Sequence, residues 1–172
     1  MSSSSAKKGG GKLFPALLNI VGTLILLSVI ACYLPVSLAH ARGYEVYNVV
    51  SGSMEPEIPV GSLIYVETLS PEEVAEGDII AFHGGTSVIA HRVVKNRVGE
   101  GEFITKGDAN EGNDLNPVGY HELIGRVCLH YPVAGRLLEV CTSNIGKLYL
   151  LCFAACGAML NILAGRLRNR SA

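Results

Sequence analysis

The chain has 172 residues, 49% of them hydrophobic, with 15 Asp plus Glu against 14 Lys plus Arg. The net charge of -1 hides a segregation: every carboxylate falls between Glu45 and Glu139, with only seven basic residues in 42–146, and the two ends are purely basic. An acidic middle excludes a basic nucleic-acid-binding face, and the length allows one domain of ordinary size plus anchoring segments.

Residues 1–12 are a Ser, Lys and Gly tail bearing Lys7, Lys8 and Lys12, too poor in apolar side chains to pack a core. Residues 13–39 contain no charge. A spanning helix needs about 20 predominantly apolar residues, so this segment is expected to cross a membrane. Ala39-His40-Ala41 has the small residues of a signal-peptide cleavage site. The apolar run is far longer than the roughly 7 to 15 residues of a cleavable signal, which favours a retained anchor.

From about Tyr44 the pattern changes to short β-rich runs separated by turn signals. Strands are expected at 45–50, 62–67, 78–83, 87–98, 102–106 and 123–130. The breaks between them are rich in Gly, Pro, Asn and Asp, notably 56–61, 84–85, 99–101 and 107–119. The expected fold class is mainly β: a compact antiparallel domain of sandwich or barrel type over 40–146, anchored by an N-terminal and a second, C-terminal transmembrane helix. Residues 132–146 either pack beside the sheet or lead into that second segment.

Residues 147–164 are the second anchor candidate: 148–164 are uncharged, just reaching the roughly 17-residue lower limit for a span. A buried core helix is the competing reading, against which stand Arg166, Arg168 and Arg170 in the tail 165–172. By the positive-inside rule, basic residues outside both apolar runs put both termini in the cytoplasm and the acidic middle outside, in a multi-pass protein of the cell membrane. Of the five cysteines, Cys128 and Cys141 could pair in an oxidising compartment, but two cysteines make no disulfide framework. No Cys-x-x-Cys pair or His/Cys cluster suggests a metal site, and no cofactor is expected.

Three stretches carry chemistry. Ser51-Gly52-Ser53-Met54-Glu55-Pro56 puts two hydroxyls in a tight turn downstream of the first apolar run, His91 lies in the apolar run VIAHRVV, and Asp108 and Asp114 lie in the turn-rich TKGDANEGNDLNP. A serine hydroxyl is a weak nucleophile until a base takes its proton, and a neutral imidazole held by a carboxylate does so at physiological pH. Each component alone is ordinary: Ser-Gly-Ser is usually a turn, and a lone strand histidine is usually packed. Lys95 shares a face with His91 under strict two-residue alternation and is a rival base. His40, His83, His121 and His130 read as surface, strand or interface residues.

Taken together, residues 45–128 resemble the type I signal peptidases, specifically the ER-type branch of eukaryotes, archaea and some Gram-positive bacteria. SGSMEP is similar to the nucleophile box, in which the serine before Met, here Ser53, attacks. GSLIYVE and GDIIAF look like the paired β segments that follow. IAHRVV resembles the box of the general base, where the typical bacterial branch has lysine and this chain has His91, and TKGDANEGND resembles the box with two aspartates. The resemblance implies that Asp114 orients His91 and Asp108 supports the same turn, with the assignment between the two open. It implies an oxyanion hole made by the Ser53 N–H and the Ser51 hydroxyl, and preproteins bearing signal peptides as substrates, cut after small residues near the translocon at the bilayer surface. A self-cleaving repressor of Ser-Lys chemistry would be soluble and carry a DNA-binding motif. The reading of a different class is a membrane-anchored, non-catalytic β domain for binding or assembly.

Overall fold

A computed structural model describes residues 10–170. The expectations for Lys7 and Lys8 and for residues 171–172 lie outside the described residues. The chain divides into two compact units, one drawn from both ends of the sequence and the other covering Pro35–Val140.

The first unit contains most of α1 (Gly10–Ala41) and all of α3 (Asn144–Arg170). Both helices are long and apolar enough to cross a membrane, over Leu13–Ala41 and Asn144–Arg170. α3 overruns the expected 147–164 at both ends. At its start the Ser143 hydroxyl accepts a hydrogen bond from the Gly146 N–H (3.0 Å), an N-cap that satisfies one orphan donor of the first turn. At its end Arg166, Arg168 and Arg170 continue the helix, as good helix formers whose charge suits a C-terminal turn. The two helices meet where glycine allows it. A Cβ on Gly22 would stand 2.7 Å from the Gly157 carbonyl oxygen, and one on Gly157 would stand 2.9 Å from that of Gly22. Backbones approach this closely only at small residues. Asn161, the polar exception in the second apolar run, turns its amide into this contact beside Gly22.

The second unit holds one seven-stranded sheet of order β1-β2-β7-β3-β4-β5-β6, antiparallel throughout. Its strands are β1 (Tyr44–Asn48), β2 (Leu63–Glu67), β3 (Ile79–Gly84), β4 (Ser87–Arg97), β5 (Glu102–Lys106), β6 (Val118–Gly119) and β7 (Leu123–Tyr131). A short helix, α2 (Ala134–Thr142), follows β7. The six expected strands are present. The seventh, β6, lies within a stretch expected to be turn only, because two residues carry no periodicity; Val118 is nevertheless buried.

Alternation along β3 sorts the core onto two faces. Ile80 and Phe82 pack with Val74, Val93, Phe103 and Val118. Ala81, between them in sequence, packs with Met54, Ile58, Ile64 and Val66. Successive side chains of a strand point to opposite faces, so one sheet buries apolar residues on both sides. Cys128 and Cys141 carry free thiols.

Candidate active site

The Ser53 turn is pinned from below. Met54 and Ile58 are 2% and 0% exposed in the second core cluster, and the Ile58 N–H donates to the Met54 carbonyl (2.9 Å). Burying these two side chains stabilises the turn by roughly 2 kcal/mol each and leaves Ser53, one residue earlier, half-buried at its shoulder. Ser51 and Ser53 both line a cleft of about 530 Å³, with Tyr47, Val49, Ser87 and Ala90 among its other walls.

His91 sits mid-strand on β4, opposite Ile80 of β3, and its ring meets that of Phe82 edge-on, with centroids 6.2 Å apart. Only 8% of the residue is exposed. Its Nδ1 lies 2.6 Å from Asp114 Oδ2. With Nδ1–H donating to the carboxylate, the Nε2 lone pair is the free one. It faces the Ser53 main chain across Gly107: a Cβ on Gly107 would stand 3.0 Å from His91 Nε2 and 2.6 Å from the Ser53 carbonyl oxygen. The loop is strapped there by the Ala109 N–H, which donates to the Ser53 carbonyl (2.9 Å). Among the described residues the Ser53 hydroxyl makes no hydrogen bond; hydrogen bonds of this kind often close only around substrate.

The two aspartates therefore have different neighbours. Asp114 takes the imidazole, whereas Asp108 takes the next residue on β4: Arg92 Nε and Nη2 donate to its two oxygens at 2.8 and 2.6 Å. Arg92 also donates to the Gly77 carbonyl (2.8 Å), and its hydrogen bonds to Asp108 lead the causes that raise its pKa above the usual arginine value. At the cleft wall Tyr47 is pushed up to about 12, by burial first and then by its hydrogen bond to Glu45 and that carboxylate's charge.

Lys95 is turned away by a bulge. Val93 pairs with Thr105 but Lys95 pairs with Ile104, so two steps on β4 oppose one on β5. The extra residue reverses alternation, and Lys95 faces away from His91, exposed. Three residues that sequence reasoning passed over belong to the site: Arg92, Gly107 and Thr105, whose Oγ1 donates to Asp114 Oδ2 at 2.6 Å. Thr105 had one available signal, its place on the same strand face as Phe103. Among the described residues no group of three or more His, Cys, Asp or Glu could hold a metal ion.

No protein-family model matches the chain. It is 41% identical over 81 residues to signal peptidase I W of Bacillus subtilis, covering 44% of this chain and 42% of that protein. It is 30% identical over 122 residues to the human signal peptidase complex catalytic subunit SEC11C, covering 64% and 63%. With SEC11 of Ogataea parapolymorpha the identity is 27% over 150 residues, covering 74% and 85%. The chain thus spans less than two thirds of the first two of these relatives. The proteins it is similar to are thus a bacterial signal peptidase I and catalytic subunits of eukaryotic signal peptidase complexes, in line with the resemblance to the ER-type branch carried by residues 45–128.

Proposed function

We propose that this protein is a membrane-bound serine endopeptidase that removes signal peptides from preproteins by Ser-His-Asp chemistry. The observation that carries the reading is the 2.6 Å contact between His91 and Asp114, which leaves Nε2 facing the Ser53 turn across Gly107. His91 takes the Ser53 proton as Oγ attacks the scissile carbonyl, and the Asp114 carboxylate stabilises the imidazolium that forms. The Ser53 N–H and the Ser51 hydroxyl donate to the oxyanion. His91 then protonates the leaving amine and, in the second half, activates the water that releases the acyl group. Asp108 supports the loop through Arg92.

Two spans suit this chemistry because a substrate's own apolar segment holds its cleavage site at the bilayer surface, so that anchoring the enzyme in the same membrane raises its encounter with that site. In this arrangement both termini are cytoplasmic and the sheet domain lies outside. With the native cysteines, including the exposed Cys128, replaced by serine, an impermeant thiol reagent should label a cysteine introduced at Glu72 from outside and not one at Ser171; labelling of both from outside rejects the second span.

The experiment for the activity is cleavage of a preprotein by the full chain purified in detergent, beside Ser53→Ala. Cleavage after small residues by the wild type alone supports the reading. Equal cleavage by both rejects Ser53 as the nucleophile, and none by either favours a non-catalytic binding or assembly domain.

A further inference from the structure

We infer that Thr105 is a positioning residue of this site, holding the Asp114 carboxylate against His91; the inference rests on the triad reading of Ser53, His91 and Asp114. Thr105 is fully buried in β5. It pairs with Val93, two residues beyond His91, so sheet register fixes its distance from the imidazole. Its side chain and its main chain both reach Asp114: Oγ1 donates to Oδ2 at 2.6 Å, and the Thr105 carbonyl accepts from the Asp114 N–H at 2.8 Å. The loop thus leaves the strand after Lys106 and returns to Thr105, one residue inside its end.

The oxygen that Thr105 engages is the one that accepts His91 Nδ1. An aspartate on a loop has two soft torsions and two interchangeable oxygens. A second donor on Oδ2, mounted on a β-branched side chain with few χ1 choices, keeps that oxygen aimed at Nδ1 and the imidazole in the tautomer with a free Nε2. A buried hydroxyl needs a partner in any case, but a threonine that served packing alone would not need this acceptor.

Two substitutions separate these roles. Thr105→Val keeps the shape and loses the hydroxyl; Thr105→Ser keeps the hydroxyl and loses a methyl group. With the full chain in detergent and a preprotein substrate, Val should lower kcat roughly ten- to hundredfold, the effect of losing one hydrogen bond to a charged group, with KM little changed. Ser should retain most of the rate. The second readout needs no turnover: the proton NMR resonance of His91 Nδ1–H, assigned by its loss in His91→Ala, should shift or broaden in Val and persist in Ser. A Val variant with wild-type kcat and an unmoved resonance overturns the inference. So does a Ser variant as impaired as Val, which would assign Thr105 to packing. If the wild type cleaves no preprotein, the peptidase reading fails on its own, and the resonance still decides whether Thr105 holds Asp114.

Discussion

Gly107→Ala should disable the enzyme while leaving it folded. The added Cβ would stand 2.6 Å from the Ser53 carbonyl oxygen, 2.7 Å from Asn110 Nδ2 and 3.0 Å from His91 Nε2. The Asn110 amide, at the end of an exposed side chain, can rotate aside. The Ser53 carbonyl cannot, because it belongs to a turn pinned by Met54 and Ile58 and already accepts from Ala109. Ordinary contact begins at 3.4 Å, so the loop or the turn must retreat by about 0.8 Å. Overpacking of this size costs about 1–3 kcal/mol, which lowers Tm by several degrees in a chain of this length. Catalysis should suffer more: a misplacement of about 1 Å between reacting groups costs on the order of a hundredfold in rate. The assay is kcat and KM for preprotein cleavage, with circular dichroism melting as the check on folding. A folded Gly107→Ala enzyme with kcat within about threefold of wild type would refute the close approach of the loop to Ser53 and His91.

Asp114→Asn should cut kcat by about 10⁴-fold, because an amide neither stabilises the imidazolium nor fixes the tautomer. Asp108→Asn should mainly lower the melting temperature, by loosening Arg92; the reverse ranking of rates would transfer the orienting role to Asp108. Lys95→Ala should leave kcat within about twofold of wild type, since the bulge points Lys95 away from His91; loss of activity would revive a Ser-Lys dyad. Tyr47 has a native pKa of about 12 against an ordinary 10.0, so its protonated form is favoured by folding. Its contribution to stability is complete below pH 10.0 and is lost as the pH climbs toward about 12. Absorbance titration at ~295 nm against Tyr47→Phe checks this: one tyrosine should ionise late.

What could be read from the sequence follows from what each signal encodes. The apolar runs and the long strands announce themselves by length and alternation, whereas Ser53, His91 and both aspartates, each ordinary alone, stood out only as a set of boxes in the order of a known family. The division between Asp108 and Asp114 was suggested by the resemblance alone, because the two lie six residues apart in one turn-rich loop and only its path sends one to His91 and the other to Arg92. Strict alternation put Lys95 beside His91, and a one-residue bulge undid it; nothing in VVKNR marks the bulge. Thr105 and Gly107 were hidden for a related reason. A threonine in a strand and a glycine in a turn are ordinary residues, and their importance arises from contacts with segments far away in the chain.

The most direct test of the central claim is a cycle of Ser53→Ala, His91→Ala and the double variant, assayed on one preprotein with folding verified. Members of a catalytic unit are grossly non-additive, so each single variant should lose about 10⁴-fold or more in kcat and the double variant little beyond the worse single. Multiplicative losses, or either single variant retaining near-normal turnover, would contradict a serine activated by His91.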